Sequence, residues 1–286
     1  MEKRKFPLMP ASLAGLLLMS VLTVLLVTFC FPAAKQAAAA TKTKPVKPAK
    51  VTKTAAPVPF IPPAGPSGGV ALIYNGKTAA EGAPEALAVA AKSLGMKVTY
   101  FDSPAKLPAL LNGATICMVG GTEDDLNPLL AQFTPAIRKT LADWVSAGGS
   151  YLGICGGAYI ASQGWEEESG IVKGFGLAPV LTEAWVEDPD PMIITVTWNG
   201  AQRQIYYQYG PAFLVKKNSA INVLARYDDG MAAALAVKLG KGKVIVCGPH
   251  PEADETWLED DPEPTDADTW TPTRDLMAGL LRKFFS

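Results

Sequence analysis

The stretch that most constrains this chain is residues 149–159, Gly-Ser-Tyr-Leu-Gly-Ile-Cys-Gly-Gly-Ala-Tyr. Residues 150–154 form a short apolar run that reads as a buried strand, and a helix-forming sequence follows with almost no loop. Cys155 is left at the junction. A residue there must take a strained turn, which small neighbours permit by letting the backbone approach closely. Gly153, Gly156 and Gly157 supply that room. Such a turn commits the chain to strands that feed directly into helices.

The surrounding sequence has the same rhythm. Residues 69–74, 97–101 and 115–119 are short apolar runs suited to buried strands. Residues 84–94 read as an Ala-rich helix capped by Gly95, and residues 128–147 as one long helix followed by Gly148-Gly149. This alternation predicts an α/β fold with a mostly parallel sheet and helices on both faces. After about residue 190 the pattern changes. Runs 192–198 and 203–209 flank Asn199-Gly200, and runs 222–226 and 231–239 flank Asp229-Gly230. Both pairs predict antiparallel hairpins added to the sheet. Residues 243–247 read as a last buried strand, and 271–285 as a closing amphipathic helix.

Four cysteines are present. Cys30 lies in an N-terminal apolar run, and Cys117 and Cys247 lie in strand-like runs where free cysteine acts as a small core hydrophobe. Their spacing suits no zinc site, and the chain has one histidine, so no metal and no cofactor is expected. Cys155 admits two readings: an inert thiol in a tight glycine turn, or a nucleophile at a helix N-terminus, where unpaired N–H groups favour the thiolate. The single histidine bears on the choice. His250 follows a predicted strand and is itself followed by Pro251-Glu252. A thiol nucleophile needs a base, and the base an acceptor to orient it. His250 and Cys155 both sit just past the carboxyl end of a strand, the edge where parallel sheets hold ligands.

These residues together resemble the class I glutamine amidotransferase superfamily, whose elbow is Gly-x-Cys-x-Gly-x-Gln and whose second motif is His-Pro-Glu. Here they read Gly153-Ile154-Cys155-Gly156-Gly157-Ala158-Tyr159 and His250-Pro251-Glu252. Val119-Gly120-Gly121-Thr122, the stretch 206–213 and Gly240-Lys241-Gly242-Lys243 extend the likeness over most of residues 69–286. The chain looks most similar to the amidotransferase-like domain found at the N-terminus of eukaryotic biotin–protein ligases, which also occurs alone in bacteria. The resemblance implies a flavodoxin-like, class I glutamine amidotransferase-like sheet. It also implies Cys155 as nucleophile, His250 as base, Glu252 as orienter, and Gly121 and Gly156 as oxyanion donors. Gly120, Tyr159, Tyr209 and Gly210 are expected to line the pocket; Tyr206, Tyr207 and Tyr209 read equally well as sheet-packing aromatics. Tyr159 stands where glutaminases have Gln, which separates this chain from glutamine hydrolysis. The expected function is that of a Cys-dependent hydrolase or amidotransferase-like protein acting on a small-molecule or peptide-like amide. The alternative is a non-catalytic binding module that keeps the pocket.

The N-terminal part is different in kind. Residues 1–66 hold 9 of the 26 basic residues and 1 of the 27 acidic ones, leaving 17 and 26 in residues 67–286. An acidic domain is a poor match for phosphate backbones, so no nucleic-acid partner is expected. Lys3-Arg4-Lys5 precedes a nearly continuous apolar run over residues 11–31, long enough to span a bilayer as a helix. Residues 1–34 therefore read as a signal peptide or membrane anchor, residues 35–66 as a Lys/Pro/Ala-rich linker, and residues 67–286 as the amidotransferase-like domain. The implied location is exported or membrane-anchored, with an extracytoplasmic (periplasmic or cell-envelope) domain that meets the membrane through the N-terminal segment. Two acidic features complete the reading. Glu123-Asp124-Asp125 suits a helix start. The stretch 252–268 suits a solvated loop better than a calcium site, because its spacing matches no ordered cation loop.

Overall fold

The computed structural model describes residues 68–167, 170–186, 188, 190–216, 221–258 and 270–285. Strands and helices are numbered in chain order. The parallel half of the sheet has the order β2 (Lys97–Phe101), β1 (Val70–Tyr74), β3 (Ile116–Val119), β4 (Ser150–Ile154) and β13 (Gly242–Cys247). All four neighbouring pairs run parallel. The runs predicted from apolar pattern and bounding glycines are these strands, with ends moved by a residue at most.

Successive side chains of a strand point to opposite faces, and β1 shows what that does. Ala71 and Ile73 join Leu87 and Ala91 of α1 (Ala83–Ser93) and Leu276, Leu280 and Leu281 of α6 (Arg274–Arg282) in one buried cluster. Leu72 and Tyr74 join Leu107 of α2 (Leu107–Leu110), Leu129 of α3 (Asn127–Gln132) and Leu141 and Val145 of α4 (Pro135–Ala147) in another. Both faces of the sheet are thus covered by helices, which is why the inner strands β1 and β3 are apolar nearly throughout rather than alternating, while the edge strand β2 is partly exposed. Each fully buried Leu or Ile in these layers contributes about 1.5–3 kcal/mol of transfer free energy.

The single helix expected over 128–147 is two helices. Phe133 leaves the helical region at φ −83°, ψ 79°, and Thr134 caps the second helix, its Oγ1 accepting the Ile137 N–H at 3.4 Å. Pro135 explains the break. It has no N–H to donate, and its ring clashes with the preceding turn inside a helix but fits the first helical position.

The remainder of the sheet, antiparallel except for the β5–β7 pair, is larger than the sequence implied. Past β13 the sheet continues through β12 (Ala232–Leu239), β10 (Pro211–Leu214), β7 (Leu181–Ala184), β5 (Gly164–Glu167) and β6 (Gly170–Lys173). A branch from β12 carries β11 (Asn222–Arg226), β8 (Met192–Trp198) and β9 (Ala201–Tyr207). The change of pattern therefore comes at Gly164, not near residue 190. Strands β5, β6, β7 and β10 have four residues each, too few to show a period. The two hairpins are where the turn residues put them. Asn199 and Gly200 have φ of 48° and 85°, the doubly positive pair of a type I′ turn. At the second, Asp229 Oδ1 accepts the Met231 N–H at 2.8 Å. Asp125, in the acidic triplet before α3, accepts the Asn127 N–H at 2.9 Å. The closing helix is shorter than expected, running only over Arg274–Arg282.

One expectation needs correction. Among the described residues no helix is long and apolar enough to cross a membrane. The run 11–31, on which the signal-peptide and transmembrane reading rested, lies outside the described residues, as does the linker up to residue 66. The described residues therefore give the signal-peptide and transmembrane reading no support.

Candidate functional site

Cys155 lies at the carboxyl edge of the sheet. Its N–H donates to the Cys247 carbonyl at 2.9 Å, so strand pairing with β13 continues up to the cysteine itself. Its backbone then turns to φ 50°, ψ −113°, a conformation few side-chain-bearing residues adopt. The Ala158 and Tyr159 N–H groups donate to its carbonyl at 2.9 and 3.0 Å, which starts α5 (Gly156–Ala161) directly on the thiol-bearing residue. The flanking glycines are sterically required. A Cβ on Gly156 would lie 1.9 Å from Thr122 Oγ1, and one on Gly157 would lie 1.9 Å from the Val119 carbonyl oxygen. The elbow is thereby wedged against the end of β3, and Gly157 donates its N–H to the Gly120 carbonyl at 3.0 Å.

The histidine arrives from the other side. β13 ends at Cys247, and the His250 N–H donates to the Tyr206 carbonyl at 2.8 Å, tying the segment to the end of β9. Tyr206 and Trp257 pack against the ring at centroid distances of 5.7 and 5.2 Å. Nδ1 meets Glu252 Oε1 at 3.0 Å, and both side chains are almost wholly buried. Burial by itself lowers the pKa of the imidazole. The charges of Glu252 and Cys155, with the hydrogen bond to Glu252, outweigh it and raise the pKa from 6.5 to about 10. With Nδ1 given to Glu252, Nε2 is the nitrogen left for the thiol. The other carboxylate oxygen, Glu252 Oε2, is buried with no hydrogen-bond partner among the described residues, so the contact of Oε1 with the ring is what holds this carboxylate. The thiol also lies 3.5 Å from the Gln208 carbonyl, to which it donates.

A cleft of about 1220 Å³ opens over these groups. Cys155, His250, Gly121, Gly156, Tyr159 and Tyr209 line it. Gly120 and Gly210, expected there as well, do not. Gly120 lies against Ala83 and Leu87, and Gly210 packs on the backbone of Gly248. Neighbouring N–H groups are used up in the fold, as that of Gly157 is, whereas those of Gly121 and Gly156 enter no backbone hydrogen bond among the described residues. Of the tyrosines at 206–209, Tyr206 lines the cleft, while Tyr207 is fully buried and donates to the Gly210 carbonyl at 2.9 Å. Thr122, Gln208, Trp185 and Trp257 also line it, unassigned by sequence reasoning. Gln208 lies within a stretch that carried the family likeness, but nothing in the sequence signalled that its carbonyl faces the thiol. The two remaining described cysteines are core residues. Cys117 and Cys247 are fully buried, and burial pushes both thiols up, that of Cys117 to about 12. Among the described residues no cluster of His, Cys, Asp or Glu is placed to hold a metal ion.

Residues 104–173 and 190–278, more than half the chain, match the family described as biotin-protein ligase, N terminal. The chain belongs to this family. A biotin–protein ligase from Schizosaccharomyces pombe is 28% identical over 171 residues, which cover 51% of this chain but only 27% of the yeast protein's length. The chain therefore corresponds to about a quarter of that relative. Among solved structures, a glutamine amidotransferase from Thermotoga maritima superimposes with a TM-score of 0.50 at 12% identity, covering 76% of this chain and 96% of that one. At that identity the likeness establishes the fold: a mostly parallel α/β sheet of the glutamine amidotransferase type, carrying antiparallel strands.

Proposed function

We propose that this member of the family is a thiol-dependent amide hydrolase in which Cys155 is the nucleophile, His250 the base and Glu252 its orienter. The observation that carries this reading is a buried imidazole hydrogen-bonded to Glu252 that lines the same cleft as the thiol of a strained strand–helix elbow. In the reaction, the thiol proton passes to Nε2 and the sulfur bonds to the acyl carbon of an amide. The tetrahedral oxyanion accepts hydrogen bonds from the N–H groups of Gly121 and Gly156. The C–N bond then breaks, and the amine leaves with the proton from His250. Water, deprotonated by the same imidazole, cleaves the thioester and restores the thiol. Glu252 keeps Nδ1 protonated and the ring aimed throughout.

A second reading, a binding module without turnover, is favoured by one feature. Tyr159 stands where glutaminases have Gln, four residues past the nucleophile, and its hydroxyl donates to the Tyr209 carbonyl at 3.5 Å. Rates of alkylation by neutral iodoacetamide, measured on the full chain with mass-spectrometric assignment, separate the two. On the hydrolase reading Cys155 reacts faster than a free thiol at neutral pH, and amide turnover falls about 10²–10⁴-fold in His250→Asn. A Cys155 no faster than a free thiol, with ligand affinity unchanged in Cys155→Ser, overturns it in favour of the binding module.

A further inference from the structure

The wall of the cleft carries one sign of charge. On the β3 side stand Glu81, Glu123, Asp124 and Asp125, and on the other side Glu166 and Glu167 of β5 and Glu183 of β7. In sheet order β4, which ends at Cys155, lies between the two banks. Among the described residues no Lys or Arg lines the cleft. The Lys and Arg residues that form ion pairs among the described residues do so elsewhere: Lys106 with Asp102, Lys139 with Asp143, Arg203 with Asp275, and Arg274 with Asp254 and Glu255. None of the seven wall carboxylates has an ion-pair partner among the described residues. Between the banks the lining is aromatic, with Trp165, Trp185 and Trp257 joining Tyr159 and Tyr209.

Carboxylates at the mouth and aromatic faces within attract the same kind of ligand. The former act over several ångströms through a partly desolvated cleft, and the latter bind ammonium and guanidinium groups by cation–π contact. An anionic substrate, such as a free carboxylate or a phosphate ester, meets seven like charges and, among the described residues, no Lys or Arg to offset them. We infer that the substrate of this cleft is a cationic amide, a basic peptide or an amine-bearing amide, recognised through its positive charge. This inference rests on the reading of Cys155 as the reactive centre and narrows its substrate class.

The test uses three methanethiosulfonate reagents that transfer a thioalkyl group to a thiol and release methanesulfinate. One carries a trimethylammonium group, one a neutral methyl and one a sulfonate. Rates at Cys155 in the full chain are measured by mass spectrometry and divided by the rates on 2-mercaptoethanol, which removes the reagents' own reactivity. The normalised cation-to-anion ratio is expected to be about tenfold or more, the low end of what a cleft of one sign does to association. It is expected to drop toward one in 0.5 M salt, roughly where screening acts over a few ångströms, and in the combined variant E166Q/E167Q/E183Q. A normalised ratio near or below one at low salt overturns the inference. The salt series on the native chain gives the answer even where the variant fails to fold. The neutral reagent reports separately. Slow neutral modification with a high ratio sinks the catalytic reading and keeps the charge preference, whereas fast neutral modification with a ratio near one does the reverse.

Discussion

His250 is the chain's only histidine, so its ring Cε1–H gives one assignable NMR signal. With Glu252 at Nδ1 and Cys155 beyond, the native titration midpoint is expected at about 10, well above the ordinary 6.5. Glu252→Gln removes the largest opposing cause and leaves burial to act, so its midpoint moves far down. A native midpoint at or below 6.5 removes the pairing on which the site depends. The same group makes stability depend on pH. A folded-state pKa above the unfolded one stabilises fully below about 6.5, and that stabilisation is lost as pH rises toward about 10. The thermal midpoint of the native chain falls across that window, and His250→Gln lacks this component of the fall. Glycine matters here at two positions above all: at Gly156 and Gly157 any Cβ collides with Thr122 or with the Val119 backbone, so the elbow tolerates no side chain.

Elements place these residues more than they stabilise them. The β8–β9 hairpin, closed by Asn199-Gly200, brings the Tyr206 carbonyl to the His250 N–H, so a turn fifty residues away in sequence helps to fix His250. The closing helix α6 has the opposite character. It covers the sheet with Leu276, Leu280 and Leu281 yet carries Gly279 in its interior, where an added Cβ meets nothing within 4 Å. Gly279→Ala is therefore expected to stabilise the protein by about 0.5–1 kcal/mol, through helix propensity and reduced freedom of the unfolded chain. The urea midpoint measures it, and an unchanged or lowered midpoint shows that the helix needs this glycine for a reason not visible in its packing. The break at Thr134-Pro135 was legible, since proline marks the first turn of a helix far better than its interior. The periodic apolar residues on either side of it hid that signal.

At the scale of the molecule, the sheet sorts three described cysteines into two environments. Cys117 and Cys247 are fully buried within β3 and β13, with thiols raised by desolvation, while Cys155 borders the cleft. Under native conditions alkylation is expected at Cys155 first. Labelling of Cys117 and Cys247 is expected to appear together, at the denaturant concentration where circular dichroism is lost. Labelling of Cys247 well before that point places a local opening at the strand that carries His250, and the site is then less rigid than its hydrogen bonds imply.

Sequence by itself determined the parallel half of the sheet, the elbow and the two hairpins, because apolar runs bounded by glycine and Asn-Gly or Asp-Gly turn pairs are local signals. It also named Cys155, His250 and Glu252, through two short motifs. Only the tertiary structure decided the rest. The short strands β5, β6, β7 and β10 are held by neighbours rather than by their own periodicity. Whether a glycine such as Gly120 or Gly210 faces the cleft or the packing behind it depends on which backbone lies opposite. The acidic wall is assembled from loops and strands separated by up to a hundred residues, so its single sign of charge exists only once the sheet has brought them to one edge.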